Sequence, residues 1–299
     1  MTGILCLDKP KDMTSFLAVR RARGILGLKK AGHTGTLDPM ATGVLPIALS
    51  GATRFISLLP THQKTYEARV ELGMTTDTLD ITGTVLQRSA VLVSPKEIVE
   101  AAKSFLGESD QLPPMYSAKL KDGVRLYDLA RQGVEVQRQT QRITIAALEV
   151  YDIDMETASF SMRVTCSAGT YIRSLASDIG AKLGCGATLT ALRRTEANGF
   201  TLAQSVTLEQ LEQLRDENRL DSCIQPLEAC LGAYPALTVT QAQATRFHNG
   251  GDLLKNRLGN LQGEGYFRVY APDGTFLGLG ETSADLDSLL VKRVFVCAE

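Results

Sequence analysis

Gly32-His33-Thr34-Gly35-Thr36-Leu37-Asp38-Pro39-Met40-Ala41-Thr42-Gly43 is the stretch on which the reading of this chain turns. Its three glycines permit tight backbone bends, and Pro39 biases Asp38 away from the helical region. Residues 29–43 are therefore predicted as an irregular loop, and the apolar run 44–49 as a buried strand leaving it. Such a segment can push one carboxylate out of a loop beside a strand. It is no P-loop, because the G-x-x-x-x-G-K-[ST] spacing is absent. By residue type alone, Asp38 reads more readily as a turn-forming Asp than as a nucleophile.

Working outward, residues 3–7 read as a short buried strand. Thr14 or Ser15 can cap a helix with Ala18, Ala22, Ile25 and Leu26 on its apolar face and Gly27 at its end. Residues 66–72 alternate like another strand. Ser94-Pro95-Lys96-Glu97 combines a Ser cap, a Pro in the first turn and a capping-box Glu. Residues 142–155 and 159–166 read as a long hairpin, after which Gly169 leads into a helix with Ile172, Ala176, Ile179 and Leu183 inward, closed by Gly184. Thr207 with Gln210 is a further capping box. The chain breaks at Ala233-Tyr234-Pro235. After a short helix come glycine-punctuated strands at 265–270, 275–280 and 291–296, with Asp273-Gly274 as a hairpin turn. The fold class expected is mixed α/β, with a largely antiparallel sheet and flanking helices and loops, plus a small C-terminal β-rich domain. The division falls at residues 1–234 and 235–299.

The 299 residues, 44% hydrophobic and 22% charged, suffice for a large core and a second small domain. No apolar run approaches the roughly 20 residues needed to span a bilayer, and the first residues read as a strand rather than a signal peptide. A cytoplasmic protein is expected. Six cysteines at 6, 166, 185, 223, 230 and 297 show no C-x-x-C spacing, and His33, His62 and His248 lie far apart. Buried free thiols are expected, and neither a disulfide framework nor a zinc site has support. The net charge of −1 hides an uneven distribution: residues 1–64 carry nine basic and three acidic side chains. Such a basic region suits a polyanion bound at one face, or a set of solvated helix faces.

Residues 32–47 resemble the signature of the tRNA pseudouridine synthase B family. Four other stretches agree in the same order. They are residues 3–10 with Met13-Thr14-Ser15; Lys64-Thr65-Tyr66; Pro113-Pro114-Met115-Tyr116-Ser117-Ala118 with Gly123 and Leu126-Tyr127; and residues 167–180 with Leu192-Arg193-Arg194-Thr195. The C-terminal segment resembles the small PUA-like RNA-binding domain that often ends such chains. One departure concerns Lys119-Leu120-Lys121, where the family has an apolar residue and then Lys; it leaves open which lysine faces RNA.

The resemblance implies isomerisation of the T-loop uridine at tRNA position 55 to pseudouridine, with no cofactor or metal. The partner implied is the T-arm stem-loop of tRNA, bound by a monomer that needs no protein partner and no membrane. It assigns the catalytic carboxylate to Asp38, as nucleophile or as base towards the ribose, and a bidentate partner to Arg173. A uridine in a folded loop must be extruded to reach the carboxylate. Tyr66 is then implied as the aromatic surface against the flipped base and as a candidate for proton transfer. Leu192 is the apolar wall, Tyr171 a hydrogen-bonding side chain, and His33 occupies space among the displaced bases. Lys9 and Pro10 are expected to brace the loop. Without the family, Tyr66 and Leu192 would read as core residues and His33 as an exposed loop residue. Competing readings are a non-catalytic tRNA-binding or folding protein of this fold, a guide-RNA-dependent synthase working in a complex, and a nucleoside hydrolase that releases uracil.

Overall fold

A computed structural model describes residues 1–296 apart from 118, 119, 122, 135 and 260, with the backbone alone at 120, 121, 125 and 131. The N-terminal run Gly3–Lys9 pairs antiparallel with Thr42–Leu49 in unbroken register, Gly3 opposite Leu49 and Lys9 opposite Gly43. Both strands read as continuous apolar runs because both of their faces are buried. Leu5, Leu7, Leu45 and Ile47 enter one cluster, while Ile4, Cys6, Val44 and Ala48 enter another on the opposite side.

Among the described residues, the main sheet runs in the order Ile224–Gln225, Gly3–Lys9, Thr42–Leu49, Ala187–Ala197, Lys64–Leu72, Ser159–Cys166, Gln141–Asp154 and Gly107–Gln111. Its strands pair antiparallel except where Arg193 and Arg194 lie parallel to Thr42 and Gly43. Further along, one face is solvated, and the pattern becomes alternating: Tyr66, Ala68, Val70 and Leu72 point inward. Helices Ser15–Ile25, Pro95–Lys103, Ile172–Lys182 and Leu208–Asp216 cover that inner face through Ala18 and Ala22, Ile98 and Ala101, Leu175 and Ile179, and Leu208 and Leu211. Thr14 caps the first helix and Ser94 and Thr207 close the capping boxes, as the sequence predicts. The mixed, largely antiparallel α/β class is the class observed.

Four details differ from the sequence reading. Ala31–His33, inside the expected loop, forms a short strand against Ala48 and its neighbours. Ala187–Ala197, absent from the reading, is a central strand whose pattern is masked by the polar residues Thr188 and Arg194, both buried. The last strand is Ser288–Val294, starting three residues earlier than expected and ending two earlier. Of the described cysteines, Cys6, Cys166 and Cys185 are buried free thiols, whereas Cys223 and Cys230 are only partly covered.

The C-terminal β-rich part holds a five-stranded sheet in the order Ala236–Thr238, Gly265–Tyr270, Phe276–Thr282, Ser288–Val294 and Leu253–Leu254. Its own core includes Leu237, Phe247, Val269 and Leu289. It also packs against the outer face of the main sheet: Phe276 and Phe295 lie 6.4 and 6.2 Å from Phe55, ring centre to ring centre. Among the described residues no helix is long and apolar enough to cross a membrane.

Candidate active site

The Asp38 loop is held by side chains that consume its carbonyls. Lys9 is fully buried, and its ammonium donates to the carbonyls of Pro10 and Met13, both at 2.7 Å, and of Pro39 at 3.3 Å. Burial pushes the Lys9 pKa down to about 8, against the opposing pull of Asp38 and Asp12. Arg194, also fully buried, donates to the carbonyls of Val44 at 2.7 Å, Gly35 at 3.1 Å and Thr36 at 3.3 Å. Between these two cations, the Ser15 hydroxyl bridges both backbone groups of Leu37 at 2.8 and 2.9 Å. Gly43 closes the loop with φ 102°, and a Cβ there would stand 2.1 Å from the Arg194 carbonyl oxygen, so only glycine fits.

So held, the Asp38 carboxylate, one-third exposed, meets the guanidinium of Arg173, which is 4% exposed. Nε donates to Oδ2 at 2.8 Å and one terminal nitrogen to Oδ1 at 3.1 Å. This is the bidentate fork that matches a carboxylate. The remaining donors go to the carbonyls of Thr78 at 2.9 Å and Tyr116 at 2.8 Å, and a second carboxylate, Asp80, stands 3.6 Å away. Asp80 is itself buried and takes hydrogen bonds from Thr78 Oγ1 and from the amide and hydroxyl of Thr82. Arg173 therefore lies between two carboxylates, only one of which faces open space.

That space is a cavity of about 390 Å³ lined by Asp38, Arg173, Tyr66, Leu192, Tyr171 and Lys64 among others. Tyr66 and Leu192 stand on adjacent strands, Leu192 opposite Ala68 and Arg194 opposite Tyr66, so one apolar patch faces the carboxylate. Burial, opposed by neighbouring Arg194, pushes the Tyr66 phenol above its ordinary range and keeps it protonated. Tyr171 precedes the Ile172–Lys182 helix, and Gln111 clamps its backbone by accepting from its N–H at 2.8 Å and donating to its C=O at 3.0 Å. His33 does not line the cavity. It sits half-buried on the edge strand near Arg194 and Lys64, and burial, then those two cations, push its pKa down, leaving a neutral ring. His33 Nδ1 and the buried Ser117 hydroxyl have no hydrogen-bond partner among the described residues.

Asp38, Arg173, Tyr66, Tyr171 and Leu192 thus share one cavity, whereas His33, the sixth site residue implied by the resemblance, lies outside its lining. Lys119 falls outside the described residues, and so does the Lys121 side chain. Sequence reasoning missed Asp80, Gln111 and the buried role of Arg194. The signal for Asp80 was present in Thr76-Asp77-Thr78-Leu79-Asp80-Ile81-Thr82-Gly83, a polar run too rich in Thr and Asp for an ordinary turn between strands.

Residues 23–172 match the N-terminal domain of the TruB family pseudouridylate synthases. Residues 173–232 match the tRNA pseudouridylate synthase B C-terminal domain, and 235–295 the C-terminal part of pseudouridine synthase II TruB. The chain belongs to the TruB family. Among relatives, a tRNA pseudouridine synthase B of Azoarcus sp. (strain BH72) is 48% identical over 98% of this chain and 94% of its own length. Another, from Clostridium kluyveri, is 42% identical over 94% of this chain and 95% of its own. Among solved structures, a chain of a Cbf5-Nop10-Gar1 complex superposes with TM-score 0.74 at 27% identity, covering 99% of this chain and 85% of that one. The TruB family accounts for the matches on both sides of the Asp38–Arg173 pair, since Asp38 falls in the first matched segment and Arg173 begins the second.

Proposed function

We propose that this chain isomerises the T-loop uridine at tRNA position 55 to pseudouridine, with Asp38 as the catalytic carboxylate. The single observation that carries the reading is the bidentate Asp38–Arg173 pair at the wall of a cavity with Tyr66 and Leu192. The reaction breaks the N1–C1′ bond, turns the base and joins C5 to C1′; the C5 proton leaves to water and N1 takes one up, so no atom is gained or lost overall. A carboxylate serves this chemistry only while ionised. Arg173 meets both oxygens of Asp38 and so holds it in one orientation at the cavity wall. Asp38 acts on the ribose, by attack at C1′ or by removing a ribose proton, and the geometry serves either route. Glycosidases set carboxylates against a similar developing positive charge.

The extruded base stacks on the Tyr66 ring with Leu192 beside it, and Tyr171 hydrogen-bonds the flipped nucleotide. His33, neutral and half-buried, fills space among the displaced bases of the loop. Residues 235–299 serve as a PUA-like RNA-binding unit. The chain works as a monomer in the cytoplasm, on free tRNA and without an obligate protein partner. The likeness to Cbf5 chains favours a second reading, a synthase directed by a guide RNA. The higher identity to full-length relatives named for tRNA supports the stand-alone form.

The test is tritium release from a tRNA transcript labelled at uracil C5, with wild type, Asp38→Asn and Asp38→Ala in parallel. Release by wild type alone, with binding retained in the variants, is the expected result. Tight binding with no release by wild type would overturn the reading in favour of a tRNA-binding protein or a missing guide complex. Release of free uracil would point to a hydrolase.

A further inference from the structure

Lys64 opens the strand that carries Tyr66 two residues later, so strand alternation places both side chains on one face. Both line the Asp38 cavity. The Lys64 side chain packs across Gly35: a Cβ at Gly35 would come within 2.9 Å of Nζ and 3.2 Å of Cε. The bare Cα of Gly35 thus makes room for an ammonium against the loop that presents Asp38.

That ammonium has no hydrogen-bond acceptor and no carboxylate within 4.0 Å among the described residues. Its neighbours offer no anion. Arg194 is itself a cation, His33 is neutral, and burial raises the Cys166 pKa to about 11, which keeps that thiol protonated. Asp38 is committed to Arg173. Burial, with Arg194, also pulls the Lys64 pKa below its ordinary value. An uncompensated, largely covered charge is costly unless a ligand completes it, and such groups gather at functional sites.

Of the parts of a uridine nucleotide, only the phosphate is an anion in the ground state. Extruding a base carries the phosphates on either side of it toward the pocket mouth. We propose that Lys64 binds a backbone phosphate flanking the flipped uridine and so positions the extruded nucleotide over Asp38. The inference rests on the reading that a nucleotide enters this cavity. A flexible ammonium suits the task, since a phosphate met as a point charge needs no planar fork.

The experiment is a chemical double-mutant cycle on the full-length chain. A synthetic T-arm stem-loop labelled with tritium at the target C5 carries a neutral methylphosphonate immediately 5′ or 3′ of the target uridine. Wild type, Lys64→Met and Lys64→Arg are compared by single-turnover tritium release and by Kd at several salt concentrations. One of the two methylphosphonates is expected to cost wild type about tenfold in kcat/KM, in the range of a lost charge-assisted contact. Lys64→Met is expected to lose as much on the native RNA and nothing further on that methylphosphonate. Its slope of log binding constant against log salt becomes shallower by roughly 0.7–0.9, and Lys64→Arg recovers most of the loss. Losses that multiply would overturn the proposal and move the charge to the uracil. So would Lys64→Met at wild-type kcat/KM, or a wild type indifferent to both methylphosphonates, a result that stands even if Lys64→Met does not fold. Absent release from native RNA would sink the pseudouridine reading alone, since the Kd cycle still decides whether Lys64 meets a phosphate.

Discussion

Arg173→Lys isolates what the guanidinium fork does, because it keeps the positive charge and removes the geometry. Arg173 spends its donors on both oxygens of Asp38 and on the carbonyls of Thr78 and Tyr116, with Asp80 at 3.6 Å. A lysine ammonium cannot span these acceptors, so one of the two carboxylate bonds is lost. A hydrogen bond to a charged group contributes ~1.5–3 kcal/mol, and at 1.36 kcal/mol per decade its loss lowers the single-turnover rate roughly 10- to 150-fold. Arg173→Met goes further and leaves two carboxylates with no counter-charge, a class of change that costs ~3–5 kcal/mol of stability. Asp38→Asn behaves differently: Arg173 keeps Asp80 and two carbonyls, so the fold survives while chemistry stops. The assay is tritium release under single-turnover conditions, with tRNA affinity and thermal unfolding measured on the same preparations. Arg173→Lys turning over within twofold of wild type would refute the claim that the fork holds Asp38 ready to react.

Asp80→Asn keeps the shape and removes the second charge on Arg173, so a five- to thirtyfold fall in rate at unchanged tRNA affinity is expected, less than a lost charge-assisted hydrogen bond because Asp80 stands 3.6 Å from the guanidinium; equal rates would make Asp80 structural only. Lys9 has a pKa of about 8 in the fold, below its ordinary 10.5, so between these values the unfolded chain binds more protons and stability rises with pH. Wild type should accordingly gain thermal stability relative to Lys9→Met as pH climbs from about 8 toward 10.5, and a constant difference across that window would contradict the burial argument. Phe276→Ala opens a cavity beside Phe55 and Phe295 and should cost ~3–5 kcal/mol, read as a lower unfolding midpoint together with weaker tRNA binding. Chelation should leave turnover on a prefolded stem-loop unchanged, because the scheme uses a carboxylate and a guanidinium where a Lewis acid would otherwise act; loss in EDTA restored by one divalent ion would overturn it.

How much of this was legible in the sequence depends on how local the signal is. Helix starts at Thr14, Ser94 and Thr207 were readable because a cap and its partner lie within three residues. The alternation of 66–72 was readable because one face of that strand is solvated. Ala187–Ala197 was not, since a central strand with a fully buried arginine carries neither an alternating nor a uniformly apolar pattern. Arg194 tolerates that position only because carbonyls of residues 35 and 36 in the loop and of 44 in the next strand converge on it, a fact about tertiary structure. The same limit hid Asp80 and Gln111: each acts through a partner 60 or more residues away. Asp38 itself read as a turn residue until the surrounding sixteen residues were matched as a block.

The charges around Asp38 divide into two kinds, and the division explains how one basic region both builds the site and meets the substrate. Lys9 spends its ammonium on three carbonyls, and Arg194 binds three more, so their positive charge fixes backbone. Arg173 is spent on carboxylates, which fixes the orientation of the reacting group. Lys64 alone of these four is left with an open charge, and it stands where the cavity meets the loop. Covered positive charge without an anion destabilises the free protein and is relieved when RNA phosphate arrives, so binding should raise the unfolding midpoint by mass action, and by less in Lys64→Met. The rigidity of the Asp38 loop follows from the same arithmetic. A loop whose carbonyls are already bonded to buried cations has little to gain from rearranging, and a carboxylate carried on it meets each incoming nucleotide in one position.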